Sequence, residues 1–202
     1  MAVPQQKLSP GYSLERGDAV PDLIGPHEEF LIVSGLAGPS KDLAALTGDG
    51  EHLYTMAGAM GAATTMGLGL ALAQPSRKVL VVTGDGELIM NVGSLATVAI
   101  MAPSNFSMIC VDNGHYGETG YQQSHTGLGV DLEQMAIGAG FRWTSTVRDQ
   151  SEIAAARELI RRDDAPVFVN LQVRPTDPPK TKRDMHPAHC RLRFRRALLG
   201  HE

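Results

Sequence analysis

KVLVVTGDG at residues 78–86 and FSMICVDN at residues 106–113 decide how this chain folds. Each begins with a short apolar run rich in β-branched residues, the composition of a strand buried on both faces. Each run passes directly into polar residues: Gly84-Asp85-Gly86 after the first, Asp112-Asn113 after the second. The residues between them, 87–111, have the right length for a loop, a crossover helix and a second parallel strand. Such a βαβ unit is right-handed by the general rule. Both polar motifs then lie at the carboxyl ends of neighbouring parallel strands, where open α/β sheets bind ligands.

Working outward, the pattern repeats. Phe30–Ser34 reads as an earlier strand and 39–46 as a short helix with Pro39 near its start. Residues 47–51 (TGDGE) read as a turn. Residues 58–73, rich in Ala, Gly, Met and Leu, read as a mostly buried helix whose small residues allow close approach to the sheet; Pro75 ends it. Residues 91–102 read as the crossover helix, stopped by Pro103. A long Gly-rich loop follows at 113–129, carrying His115, Tyr116, Gln122 and His125. Residues 131–140 read as a helix capped by Asp131, 141–145 as a strand, 150–162 as an amphipathic helix and 167–173 as a last strand. Alternating strands and helices predict an α/β fold: a parallel sheet with helices on both faces. The chain divides into an N-terminal segment (1–28), the main domain (29–175) and a Pro-rich, then basic arm (176–202) ending in a short helix near 192–199. Two readings stay open for the arm, a solvated tail and an arm packed on a partner chain.

Composition narrows the function classes. A chain of 202 residues suffices for one well-buried α/β domain and is too short for two of ordinary size. The net charge of −4 gives no electrostatic basis for nucleic-acid binding, and 5% aromatic residues offer few stacking platforms for bases. No apolar run is long enough to span a membrane. Residues 1–10 lack the basic and apolar regions of a signal peptide. Cys110 and Cys190 lie far apart and form no CxxC, which predicts a reducing, cytoplasmic compartment.

The polar motifs carry a specific chemistry. Gly84 and Gly86 permit a tight turn and close approach of a diphosphate. Asp85 and Asn113 offer hard oxygen ligands of the kind Mg²⁺ takes beside phosphate oxygens and water. A helix starting after Gly86 points free N–H groups at the anion. A third element, Gly58-Ala59-Met60-Gly61, lies upstream.

Together these elements resemble the diphosphate-binding signature of thiamine diphosphate (ThDP) enzymes. The runs GAMGAATTMGLGLALA, GDGELIMNVGSLATVA and DNGHYGETGYQ are similar to phosphonopyruvate and sulfopyruvate decarboxylases over roughly residues 30–175. The resemblance implies ThDP and Mg²⁺ as cofactors. It implies metal ligation by Asp85, Asn113 and the His115 backbone carbonyl. Met60 becomes the prop that bends the cofactor and the Gly58 carbonyl its pyrimidine contact. Ala59, Gly84, Gly86, Glu87, His115 and Tyr116 complete the cofactor-binding set. The implied reaction releases CO₂ and an aldehyde from a 2-oxo acid, with His115 and His125 as candidate catalytic groups. The activating glutamate belongs to a pyrimidine-binding domain that this chain lacks. An alpha-type partner subunit, in an α2β2 assembly, is therefore expected to supply it. Two departures stand out: Asp112 replaces the first residue of the usual Asn pair, and Glu87 follows GDG where a small residue is usual. Glu87 is expected to turn away from the diphosphate, toward a partner.

Other readings use the same residues. A carboligase or the ThDP subunit of a 2-oxoacid oxidoreductase shares the fold, although two isolated cysteines supply no iron–sulfur motif. A non-catalytic cofactor-binding subunit would also keep these motifs. Gly67-Leu68-Gly69 suggests a Rossmann dinucleotide binder, but it lies inside a helical pattern and lacks the third glycine.

Overall fold

The computed structural model describes residues 12–56 and 58–200. Chain order gives α1 (Arg16–Ile24), β1 (Phe30–Ser34), α2 (Gly38–Thr47), β2 (Leu53–Thr55), α3 (Ala63–Ala73) and β3 (Lys78–Gly84). Then come α4 (Asp85–Met90), α5 (Ser94–Met101), β4 (Phe106–Asp112), and a small antiparallel hairpin of β5 (His115–Tyr116) and β6 (Gln122–Gln123). The chain closes with α6 (Leu132–Ala139), β7 (Trp143–Val147), α7 (Ile153–Leu159), β8 (Val167–Gln172) and α8 (Pro187–Leu199).

Six strands form one parallel sheet in the order β2-β1-β3-β4-β8-β7. Alternate residues of each strand feed opposite faces. Phe30, Ile32, Leu80 and Val82 pack with α1, α2 and α7, while Leu31, Val33, Val79 and Val81 pack with α3, α5 and α6. Two apolar layers therefore flank the sheet. The connection after β1 leads outward to β2, and the connection after β3 leads the other way to β4. The strand order thus reverses between β1 and β3, which opens a crevice at their carboxyl ends. Gly67 brings α3 down onto the sheet: a Cβ there would lie 2.1 Å from Val81 Cγ2.

Several elements differ from the sequence expectation. The segment before residue 29 contains α1, despite Pro21 inside it. Leu14 also forms a parallel bridge with Val173, so this segment joins the main fold. The expected signal-free stretch 1–10 lies outside the described residues. The helix expected from Gly58 begins at Ala63, because Gly58 and Gly61 adopt positive φ and hold a loop. The expected crossover helix 91–102 is α5, and a separate short helix, α4, precedes it. Helix α4 starts within GDG itself, and Asn91 in a non-helical conformation ends it before α5 begins. Strand β2 had no signal in the three residues Leu-Tyr-Thr. The C-terminal helix begins at Pro187, earlier than expected, and packs on the chain's own edge strand. There Thr55 N–H donates to Cys190 Sγ at 3.4 Å, and Phe194 meets Tyr54 edge-on at 5.7 Å. Covering β2 removes an open sheet edge.

Candidate cofactor site

The loops at the carboxyl ends of β1, β3 and β4 surround an open cleft with about 810 Å³ of empty space. Gly84, Asp85, Gly86 and Glu87 form one wall, Asn113, His115 and Tyr116 another, and Met60 lies at its edge. Neither Gly84 nor Gly86 needs a positive φ. Gly86 answers a different demand. A Cβ there would sit 2.3 Å from Tyr116 Cε1, so the tyrosine ring lies directly on the GDG turn.

Asp85 is buried, and its Oδ2 accepts hydrogen bonds from Ser124 Oγ and, at 3.0 Å, Thr126 Oγ1. Thr126 also reaches Asp112 Oδ1 at 2.6 Å. One hydroxyl proton cannot serve both carboxylates at once. Asp112 is held further by Tyr12 OH at 3.2 Å, Gly114 N–H at 3.0 Å and Asn170 Nδ2 at 3.3 Å. Burial, and then the Asp112 charge, push the Asp85 carboxyl up to about 7; burial also raises Asp112. Two carboxylates packed this closely favour a cation between or beside them.

Asn113 Oδ1 accepts the His115 N–H at 3.1 Å, and His115 Nδ1 donates to the Asn113 carbonyl at 2.9 Å. In the neutral ring this fixes the proton on Nδ1 and leaves the Nε2 lone pair available. Gly114, at positive φ, lets the chain turn back, and Gly127 packs against its carbonyl. That close approach carries Ser124 and Thr126 beneath Asp85.

The cleft gathers most of the expected residues. Met60 is 39% exposed, so it is a cleft side chain and not a core methionine. His125 lies outside the cleft lining and reaches it only through Tyr116 OH, 3.2 Å from its Nδ1. Gln122 is used within its own hairpin, by Thr119. Gly58 and Ala59 belong to the loop that presents Met60. Glu87 turns onto the chain's own β1–α2 loop, where the sequence reading looked to a partner. Its Oε2 accepts the Leu36 N–H at 2.9 Å, and burial pushes its carboxyl up.

Other residues of the site had no sequence signal. Arg16, from α1, forms a buried bidentate ion pair with Asp42 of α2 at 3.1 and 2.5 Å. Gly38 leaves room for its guanidinium. Lys41 pairs with Glu118 at 3.2 Å, and Tyr121 OH donates to Asp177 at 2.5 Å. Arg16 and Lys41 of the cleft lining are thus both paired, and the Asp85 and Glu87 carboxyls line the cleft beside them.

This fold and this cleft define a ThDP-binding domain. Residues 44–171 match the family described as thiamine pyrophosphate enzyme, C-terminal TPP binding domain, and the chain belongs to that family. Its curated relatives include sulfopyruvate decarboxylase subunit beta of Methanocaldococcus jannaschii, 40% identical over 59% of this chain and 62% of the relative. The subunit beta of the same name from Methanothermobacter thermautotrophicus is 33% identical over 80% of this chain and 83% of the relative. Among solved structures, the thiamine diphosphate-dependent 4-hydroxybenzoylformate decarboxylase of Rhodococcus jostii RHA1 superposes with a TM-score of 0.65 at 21% identity. That match covers 90% of this chain and 36% of the other, and it shows the shared fold.

Proposed function

We propose that this chain is the diphosphate-binding, beta-type subunit of a ThDP- and Mg²⁺-dependent 2-oxo acid decarboxylase of the sulfopyruvate and phosphonopyruvate type. One observation carries the proposal: Asp85 and Asn113, at the ends of adjacent strands β3 and β4, face the same cleft as the exposed Met60. Family membership supports the cofactor, and the relatives' names support the reaction and a second subunit.

The donor set fits the cofactor. Among the described residues, no three His, Cys, Asp or Glu side chains converge as a metal cage. Mg²⁺ held by Asp85, Asn113 and the His115 carbonyl would complete its shell with diphosphate oxygens and water. With Arg16 and Lys41 already paired, diphosphate binding depends on that cation. When bound, ThDP supplies the nucleophile for the 2-oxo carbon and the electron sink for loss of CO₂. Met60 would support the bent cofactor, and the Gly58 carbonyl would contact its pyrimidine. His115, with Nε2 free, holds or delivers a proton at the product carbon, and His125 is a second candidate through Tyr116.

Glu87, buried with one oxygen on the Leu36 N–H, does not serve as the activating carboxylate. A partner chain with a pyrimidine-binding domain supplies it, in an α2β2 assembly acting in the cytoplasm. Two free, buried thiols agree with a reducing compartment. No helix among the described residues is long and apolar enough to cross a membrane.

Calorimetric titration of ThDP with and without Mg²⁺ tests the cofactor reading. Wild-type protein should bind only with Mg²⁺, and Asp85→Asn should abolish that binding. Metal-independent binding, or an unchanged Asp85→Asn variant, would remove Asp85 from the metal site. Release of CO₂ from a 3-sulfo- or 3-phosphono-2-oxo acid by the chain with its copurifying subunit tests the reaction.

A further inference from the structure

Arg16 reaches the cleft from α1, and its side chain is only 5% exposed. Nε and Nη2 donate to the two oxygens of Asp42 at 3.1 and 2.5 Å, which fixes the guanidinium plane. Nη1 has no hydrogen-bond partner among the described residues, and it is not sealed from solvent as the unpartnered Oε1 of Glu87 is. It lies beside Gly38, 3.0 Å from where a Cβ would stand. The Arg16 charge also acts on the Tyr121 hydroxyl, another group of the cleft lining. The free edge of the guanidinium therefore opens into the cleft.

Helix α2 begins at the same place. Its N-cap is Ala37, which has no side-chain oxygen to offer the first-turn N–H groups, and no other side chain caps the helix. Ala37, Gly38 and Pro39 line the cleft. An uncapped helix N-terminus favours an anion, and a buried arginine with a free edge gives the same ligand directional donors. Asp42 balances the arginine's charge but leaves Nη1 its protons. This corner lies at the end of β1, next to β3 and its GDG turn, where the strand order reverses. Arg16 and the first turn of α2 precede residue 44, where the family match begins, so that match gives them no role.

We propose that Arg16 Nη1 and the first turn of α2 bind the terminal phosphate of the cofactor's diphosphate, while the cation is held from β3 and β4. The ion pair with Asp42 sets the guanidinium in place before the ligand arrives, so little side-chain entropy is lost on binding. This rests on the reading of the cleft as the ThDP site and adds to it a grip supplied by the N-terminal segment.

Calorimetry on the chain with its copurifying subunit, at saturating Mg²⁺, tests the proposal by comparing ThDP with thiamine monophosphate, which lacks the terminal phosphate. Arg16→Lys keeps a charge for Asp42 but has no second nitrogen for the cleft. Arg16→Met combined with Asp42→Leu removes the ion pair as a unit, so no buried charge is left alone. Both variants should weaken ThDP binding by about tenfold or more and leave thiamine monophosphate within about twofold of wild type. A merely structural role would lower the ligand-free melting temperature and weaken both ligands alike, and that result overturns the proposal. Unchanged ThDP affinity overturns it too; a raised KM for the 2-oxo acid in that case would assign Arg16 to the substrate. A wild-type complex that takes up no ThDP at any Mg²⁺ concentration overturns the cofactor reading itself, and this inference with it.

Discussion

Asp85, Asn113 and Met60 were legible in the sequence because each sits in a short motif directly beside a strand or helix pattern. Tyr12, Arg16, Ser124 and Thr126 were not. Their partners are far along the chain, 100 residues away for Tyr12 and Asp112 and 39 for Ser124 and Asp85. No local spacing encodes such a meeting. The same holds for His27 and His52, which precede β1 and β2 at the end of the sheet opposite the cleft. Their Nδ1 and Nε2 atoms lie 2.9 Å apart, so only one proton fits between them. Burial, and then His27, lower the His52 pKa from 6.5, with Glu28 and Glu51 opposing. A histidine depressed in the folded state contributes stability above its unfolded pKa and loses it as pH falls through the folded value. The protein should therefore lose stability as the pH drops below 6.5. Urea unfolding at about pH 7.5 and about pH 5.5 should show a smaller loss for His52→Gln than for wild type. Equal losses would mean that the pair carries none of the pH dependence.

At the element scale, the long buried strands and their crossovers were readable from β-branched runs and helical periodicity. Strand β2 was not, because three residues pair only by virtue of their neighbour β1. Helix α1 had no sequence reading; with Pro21 inside it, its buried Ala19, Val20, Leu23 and Ile24 are held by α7 and α2. Helix α3 offers a direct test, since two of its glycines differ only in what they face. A Cβ on Gly67 meets Val81, whereas a Cβ on Gly69 meets nothing within 4 Å. Gly67→Ala should cost about 1–3 kcal/mol through overpacking. Gly69→Ala should stabilise by about 0.5–1 kcal/mol through helix propensity. Chemical denaturation separates them, and two variants of equal stability would mean that α3 does not approach the sheet as closely as described.

For the whole molecule, exposed apolar side chains gather on the helices of one side: Met66 and Leu72 of α3, Met90 of α4, Ile100 and Met101 of α5, Met135 and Ile137 of α6. Ile100 is 82% exposed. Large apolar residues left in water on one side of a domain mark a surface that another chain covers. The protein should therefore run as an oligomer with the proposed partner in native mass spectrometry, and the assembly should survive dilution. A monomer at every concentration would make these residues an ordinary solvated surface and remove the structural support for a shared site.

The sequence by itself determined the α/β class, the two central strands, the family and the placing of Asp85 and Asn113 at neighbouring strand ends, since all of these rest on local composition and spacing. Only the tertiary structure decided that the N-terminal segment delivers Tyr12 to Asp112 and Arg16 to the cleft. It also decided that α8 seals the chain's own sheet edge and that Glu87 ties α4 to the β1–α2 loop. The reason is physical. These contacts join groups far apart in the chain, and burial gives them their energy, which exists only once the sheet has brought the ends of its strands together.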